Sequence, residues 1–213
     1  MDQLLALFPL HTVLFPGTAL PLHIFEERYK TMIGRCINLK QPFGVVLIRE
    51  GQAEGEPAEP HDIGTTAFVT NTLPADNGRM YIVAEGRQRF RIKQVIQTRP
   101  YLIADVEYLE DKVSVEQKVQ ADHLQKLYER YRDAMTRATG VPQQLSDLPD
   151  DPLEISFHLS ALLQVPYLSK QQLLEADLDT RLESLMAALD DEMRYLPPPS
   201  NTPPPPGNRW TLN

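Results

Sequence analysis

The sequence predicts an α+β protein with three parts. A β-rich, barrel-like half covers residues 1–110, four helices form a bundle over 111–196, and a proline-rich tail fills 197–213. Three observations carry this. Turn signals cut the first half into short apolar runs, the pattern of a closed or half-closed barrel. Near residue 111 the apolar period changes to steps of three and four, the helical spacing. The tail then places seven prolines in its first ten positions, which neither a helix nor a central strand accepts.

The opening ribbon is "FPLHTVLFPGTALPLHIFEERY", residues 8–29. "VLF" and "ALPLHIF" read as strand-like pieces, separated by a turn at Pro16-Gly17. Phe25 to Leu39 predicts a helix, because Tyr29, Met32, Ile33 and Ile37 recur at helical spacing. "PFGVVLIRE" is a continuous apolar run of strand length, and "EGQAEGEPAEPHD" behind it is a loop. "IGTTAFVTNTL" predicts the next strand, ended by Pro74 and the Asp76-Asn77-Gly78 turn. "RMYIVAEGRQRFRIKQVIQ" follows. "YLIADVEYLE" closes the series, with Leu102, Ala104, Val106 and Tyr108 alternating against Ile103, Asp105, Glu107 and Leu109.

"EGRQRFRIK" bears two readings. As a regular strand it puts Glu85, Arg87, Arg89, Arg91 and Lys93 on one face and Phe90 and Ile92 on the other. Arg87, Arg89 and Arg91 are then a candidate anion-binding stripe. The alternative is a solvent face whose cations pair across strands with Glu107 or Asp105.

In the second half, "SVEQ" at 114–117 is a capping-box pattern. Leu124, Leu127, Tyr128, Tyr131 and Met135 follow on one helical face, and Gly140 is a suitable stop. Asp151-Pro152 supplies an N-cap and a first-turn proline for a helix running to Pro166. "SKQQ" at 169–172 repeats the capping-box pattern, and Leu178, Leu182, Leu185, Leu189 and Met193 stripe the last helix. The tail predicts extended polyproline II structure. Its "PPPP" and Trp210 suit an aromatic groove on a partner; the alternative is a disordered terminus.

The totals exclude several functions. Net charge is −8: residues 1–110 hold 11 basic and 13 acidic side chains (−2), and residues 111–213 hold 10 and 16 (−6). Neither half is a basic footprint, so nucleic-acid and anionic-membrane binding are disfavoured. Cys36 is the lone cysteine, which leaves no intrachain disulfide and no cysteine-based metal site. No basic, apolar leader and no membrane span is legible, so a soluble cytoplasmic protein is expected. The sequence has no Gly-Lys phosphate loop, G-x-G-x-x-G, G-x-S-x-G or H-E-x-x-H. His11 and His23 flank the ribbon without further ligands, so no metal and no cofactor is expected. Glu26-Glu27, Asp150-Asp151 and Asp190-Asp191 are adjacent pairs that do not face each other, which fits solvated faces or caps better than acid–base catalysis. Ser169-Lys170 is read as a helix cap rather than a catalytic dyad.

The ribbon "FPLHTVLFPGTALPLHIFEERYKTMI" resembles the opening of the Lon amino-terminal, or LON substrate-binding, domain. "FGVVLI", "IGTTAFV", "YIVAEGRQRFRI" and "YLIADVEYLED" resemble later segments of that family, in order. "YIVAEGRQRFRI" matches the pattern v-x-v-x-G-x-x-R-f-x-i. "DPLEISFHLSALLQVPYLSKQQLLEADLDTRLESLMAAL" resembles its helical part, including a k-Q-x-l-L and a later R-L. The likeness covers about residues 4–196. One departure is His11, where Lon proteases often carry Arg.

The resemblance implies a PUA-like β pseudo-barrel followed by a helical bundle. It also implies a non-catalytic module that binds unfolded or extended polypeptide, as a substrate-recognition adaptor for a protease or chaperone. The chain contains the segment that precedes the ATPase and Ser-Lys peptidase modules in Lon proteases, so a stand-alone domain hydrolysing neither ATP nor peptide is expected. The candidate contact residues are Phe15, Pro16, Gly17, Leu20 and Leu22 of the ribbon, with Glu26 and Arg28 from its e-x-r ending. The exposed turn 15–17 is the first choice. Two alternatives stay open: an RNA-binding PUA-like protein using the arginine stripe, and a small hydrolase.

Overall fold

A computed structural model describes residues 3–51, 58–140 and 148–195. The tail, with its polyproline and Trp210 expectations, lies outside the described residues, as does most of the loop after Gly51. The first half forms β1 (Gln3–Leu10), β2 (Ala19–Ile24), α1 (Glu27–Leu39), β3 (Phe43–Glu50), β4 (Glu59–Pro60), β5 (Ile63–Pro74), β6 (Met80–Gln97) and β7 (Leu102–Tyr108). The second forms α2 (Val115–Thr139), α3 (Pro152–Leu162), α4 (Tyr167–Glu175) and α5 (Leu178–Tyr195).

The strands run in the order β1-β7-β6-β5-β3, and β1 pairs with β3 in parallel from Leu7↔Gly44 to Leu10↔Leu47. That last pairing closes the sheet on itself, which removes two open edges. β2 joins only β6, from Ala19↔Glu85 to Ile24↔Met80, so it is an edge strand. Pro21 suits that place, because proline offers the ladder no N–H. The inner faces of the sheet pack into two apolar clusters. One contains Phe8, Ile24, Phe43, Ile82 and the buried face of α1; the other contains Leu5, Leu7, Val46, Phe90 and Val106.

The helical half packs α2 against α5 and α3, and α3 against α4 and α5. Its core gathers Leu124, Leu127, Tyr128, Ile155, Leu159, Leu182, Leu185 and Leu189, and it also takes in Phe15 and Ile63 from the first half. The two halves therefore share a core. The predicted capping box at α2 is formed: Gln117 N donates to Ser114 Oγ (3.3 Å) and Ser114 N to Gln117 Oε1 (2.8 Å). Asp151 caps α3 by accepting from Leu153 N (2.9 Å) and Glu154 N (3.1 Å).

Two local expectations are corrected. The first strand is Gln3–Leu10, and "VLF" at 13–15 forms no strand. Val13 and Phe15 instead turn their side chains to the helical core. The capping box at 169–172 is absent: α4 starts at Tyr167 directly behind Pro166, so Ser169 falls inside the helix rather than ahead of it.

Candidate functional site

The ribbon is built around a tight reversal. Thr18 N donates to Phe15 O (3.2 Å), and Gly17 sits at φ 75°. Proline second and glycine third, with positive φ at the glycine, are the requirements of a type II turn. The turn is fastened to β6 by Gly17 N to Gly86 O (2.9 Å) and Gly86 N to Thr18 O (2.9 Å). A Cβ at Gly86 would lie 2.4 Å from Phe15 O, so only glycine lets the two chains approach this closely.

This reversal corrects the first-choice contact. Phe15 is 0% exposed, and its ring lies 6.3 Å from that of Phe157 on α3. Its side chain serves the seam between the halves and is out of a partner's reach. Pro16 and Gly17 remain accessible, and they line a cleft of about 620 Å³ between β6, the 109–112 segment and α3.

A buried ion network lies beside this cleft. Arg89 donates to both oxygens of Asp111 (2.5 and 3.2 Å) and, through Nη1, to Leu174 O and Ala176 O (2.5 and 2.9 Å). Arg181 is 0% exposed. It donates to Ser156 Oγ (2.9 Å), Leu173 O (3.2 Å) and Ala176 O (3.0 Å), and its guanidinium lies 4.0 Å from the Phe157 ring centroid. Burial, with Arg89 adding repulsion, pushes the Arg181 pKa down to about 10, so it stays charged at neutral pH. Asp111, 3.9 Å from Arg181, thus lies between two cations. His158 also lines the cleft, and burial holds its pKa below the ordinary imidazole value. Lys170 of the Ser169-Lys170 pair donates to Ala161 O on α3 (2.7 Å).

The regular arginine stripe is corrected as well. Thr65 pairs with Arg89 but Ala67 pairs with Gly86, so β6 carries an extra residue there. This bulge breaks the two-residue period between Arg87 and Arg89. Arg87 is exposed and pairs with Glu85 (3.1 Å), whereas Arg89 is covered by the carbonyls of the helical half. Arg91 is exposed opposite Glu107, and Lys93 pairs with Asp105 (3.1 Å).

A second surface lies on β2, β6 and β5. The register puts Leu20, Leu22 and Ile24 beside Ala84, Ile82 and Met80, on the face that packs inward. Pro21 and His23 lie beside Val83 and Tyr81 on the other face, and Leu73 of β5 pairs with Tyr81 from the far side. This outer face holds a depression of about 470 Å³. A smaller one of about 130 Å³, reaching Phe25 and Glu26, shares Leu22 and His23 with it. Leu73 is 65% exposed, Tyr81 50% and Phe25 42%. The His23 ring stacks on Tyr81 at 4.5 Å, fixing the middle of the surface. Glu26 pairs with Arg28 (2.9 Å), which also lies over the Tyr29 ring (4.5 Å).

The candidate residues therefore separate. Leu20 and Leu22 are half-buried on the inner face, Leu22 also reaching both depressions and Glu26 the smaller one, Pro16 and Gly17 line the cleft, and Phe15 is core. Sequence reasoning missed Pro21, Phe25, Leu73 and Tyr81 as one surface. The signal was the strand alternation of Pro21 with Leu22 and of Tyr81 with Ile82, which becomes informative once the pairing is known.

The family model for the ATP-dependent protease La (LON) substrate-binding domain matches residues 5–191. The chain belongs to this family. Among curated relatives, Lon protease 2 of Myxococcus xanthus is 29% identical over 202 residues, covering 92% of this chain and 24% of the relative. Lon protease of Anaeromyxobacter dehalogenans is 28% identical with the same coverages. The chain thus spans about a quarter of the length of these relatives. Among solved structures, the Lon N-terminal domain protein from Xanthomonas campestris aligns with a TM-score of 0.62 at 24% identity, over 87% of this chain and 98% of its own. The N-terminal domain of Mycobacterium avium complex Lon protease gives 0.66 at 18%, over 89% and 99%. These two likenesses establish the fold. The match is to the substrate-binding domain of the LON family and not to a catalytic module.

The polar letters of the LON resemblance acquire a physical role here. Arg89, Gln171 and Arg181 occupy them, and each donates to main-chain carbonyls at the junction of sheet and helices.

Proposed function

We propose that this LON substrate-binding domain captures extended, apolar polypeptide segments on its β2–β6–β5 face and acts as a substrate-recognition adaptor in proteolysis or protein quality control. One observation carries the reading: Leu73, Tyr81 and Phe25 stand exposed around two adjoining depressions. Contiguous exposed apolar surface is characteristic of interaction sites. The stacked His23-Tyr81 pair makes that surface stiff, which lowers the ordering cost of binding. We read the closed sheet as a PUA-like barrel and the helices as a bundle subdomain, a non-catalytic cytoplasmic scaffold for this face. Unfolded chains, and a protease or chaperone that receives them, are its partners. Pairing of Arg87, Arg89 and Lys93 with acids weakens the RNA-binding alternative. Ion-pairing of Glu85 and Asp111 likewise weakens the hydrolase alternative.

The test is fluorescence anisotropy with a labelled, permanently unfolded polypeptide and the full chain. Losing an apolar contact of leucine size costs about 1.5–3 kcal/mol, so Leu73→Asp weakens binding by about tenfold or more. Equal affinity of parent and variant, both folded by circular dichroism, would reject this face. Tight, steeply salt-dependent binding of a labelled RNA would replace the reading altogether.

A further inference from the structure

An apolar pocket of about 310 Å³ opens among α2, α3 and α5. Tyr128, Tyr131, Arg132 and Met135 of α2 line it, with Leu162 and Glu192 among the residues facing them. It is separate from the cleft and from the β2–β6–β5 face. Tyr128 is buried, and its hydroxyl has no hydrogen-bond partner among the described residues. Buried tyrosine hydroxyls ordinarily find one, so the pocket lacks a polar group of matching chemistry.

We propose that this pocket is an indole-binding site and that its occupant is Trp210 of the same chain. An indole presents a broad flat apolar body and a single N–H donor. Leucine and methionine side chains suit the body, Arg132 offers a cation to its face, and the Tyr128 hydroxyl oxygen accepts the N–H.

Length and composition support the return of the chain to this pocket. Glu192 of the lining is three residues before Tyr195, where α5 ends, and Trp210 is fifteen residues after it. Prolines 197–199 and 203–206 are two runs that, as polyproline II legs, would span about 9 and about 12 Å. Ser200-Asn201-Thr202 between them is a polar triplet of turn-forming residues, and Gly207-Asn208, just before Arg209-Trp210, is a second turn-forming pair. Two legs of similar length with a reversal between them bring the tryptophan back near its point of departure. The legs are stiffened in advance, so less entropy is lost on docking. Arg209 then arrives beside the acidic Glu192 of the lining.

Trp210 is the sole tryptophan of the chain, so its fluorescence, excited where tyrosine does not absorb, reports on it alone. In the native full-length chain we expect emission at shorter wavelength, and acrylamide quenching several-fold weaker, than in the same chain unfolded by urea. Leu162→Glu, on an exposed part of the lining, returns both readings to the unfolded values while the far-ultraviolet circular dichroism is retained. Tyr128→Phe keeps the ring and removes the acceptor; it partly restores quenching and does not depend on the fate of the Leu162 variant. Native fluorescence indistinguishable from that in urea would overturn the proposal. So would protection of Trp210 that neither variant alters. A spectral shift lost on dilution would assign the pocket to the tail of a second copy and overturn docking within one chain.

Discussion

Among the described residues Arg181 is the largest side chain removed completely from solvent, and nothing in its local sequence marks it for the interior. It is held there by two main-chain carbonyls, a serine hydroxyl and an aromatic face, with Asp111 close by. Arg181→Ala removes these donors and leaves a cavity, and is expected to lower stability by about 3–5 kcal/mol, measured from urea unfolding. Arg181→Lys does not restore it, because one ammonium cannot reproduce the planar fork that reaches Ser156 and both carbonyls. A variant of either kind as stable as the parent would show that the network contributes little. The same side chains explain what was illegible in the sequence. Arg89 reads as surface charge because strand alternation groups it with Arg87 and Arg91; a bulge breaks that alternation, and Arg89 alone of the three is covered by α4 and the segment after it. Asp111 and Ser156 carry no motif, since their roles arise from contacts 22 and 25 residues away along the chain.

At the scale of elements, much was legible. Ser114 with Gln117 and Asp151 with Pro152 are local signals, and both cap the helices they predict. The strands from "PFGVVLIRE" onward are equally local patterns. What could not be read was pairing: the parallel β1–β3 closure, the bulge in β6, and the lone pairing of β2 with β6 all depend on distant partners. Pro16-Gly17 shows both sides of this. The turn is dictated locally, but its attachment depends on Gly86, 69 positions beyond Gly17. Gly86→Ala forces a methyl against Phe15 O and Leu14 Cγ, with separations of 2.4 and 3.1 Å before relaxation. Overpacking of this kind costs about 1–3 kcal/mol, and thermal unfolding should show it directly. An unchanged midpoint would mean that the ribbon is not held against β6 in solution. The stiff opening ribbon is thus a strap whose turn locks onto the sheet and whose Phe15 reaches the helices.

For the whole molecule, the outcome rests on that seam. Phe15 and Ile63 lie in the core of the helical half, Gln171 donates to Ile63 O (2.9 Å), and Arg89 donates to the carbonyls of Leu174 and Ala176. Separating the halves would expose the phenylalanine and strip the partners from these groups together. Desolvated polar groups and apolar side chains that lose cover in one step favour cooperative unfolding. We therefore expect a single calorimetric transition in which the van't Hoff and calorimetric enthalpies agree. Phe15→Ala, costing about 3–5 kcal/mol, should move that transition as a unit rather than split it. Two resolved transitions, with only the helical one shifted by Phe15→Ala, would show instead that the halves fold separately. The distinction bears on function. If the molecule is one cooperative unit, loss of polypeptide binding on mutating Phe15 reports unfolding, whereas the same loss in Leu73→Asp, whose side chain lies outside the seam, reports the binding face itself.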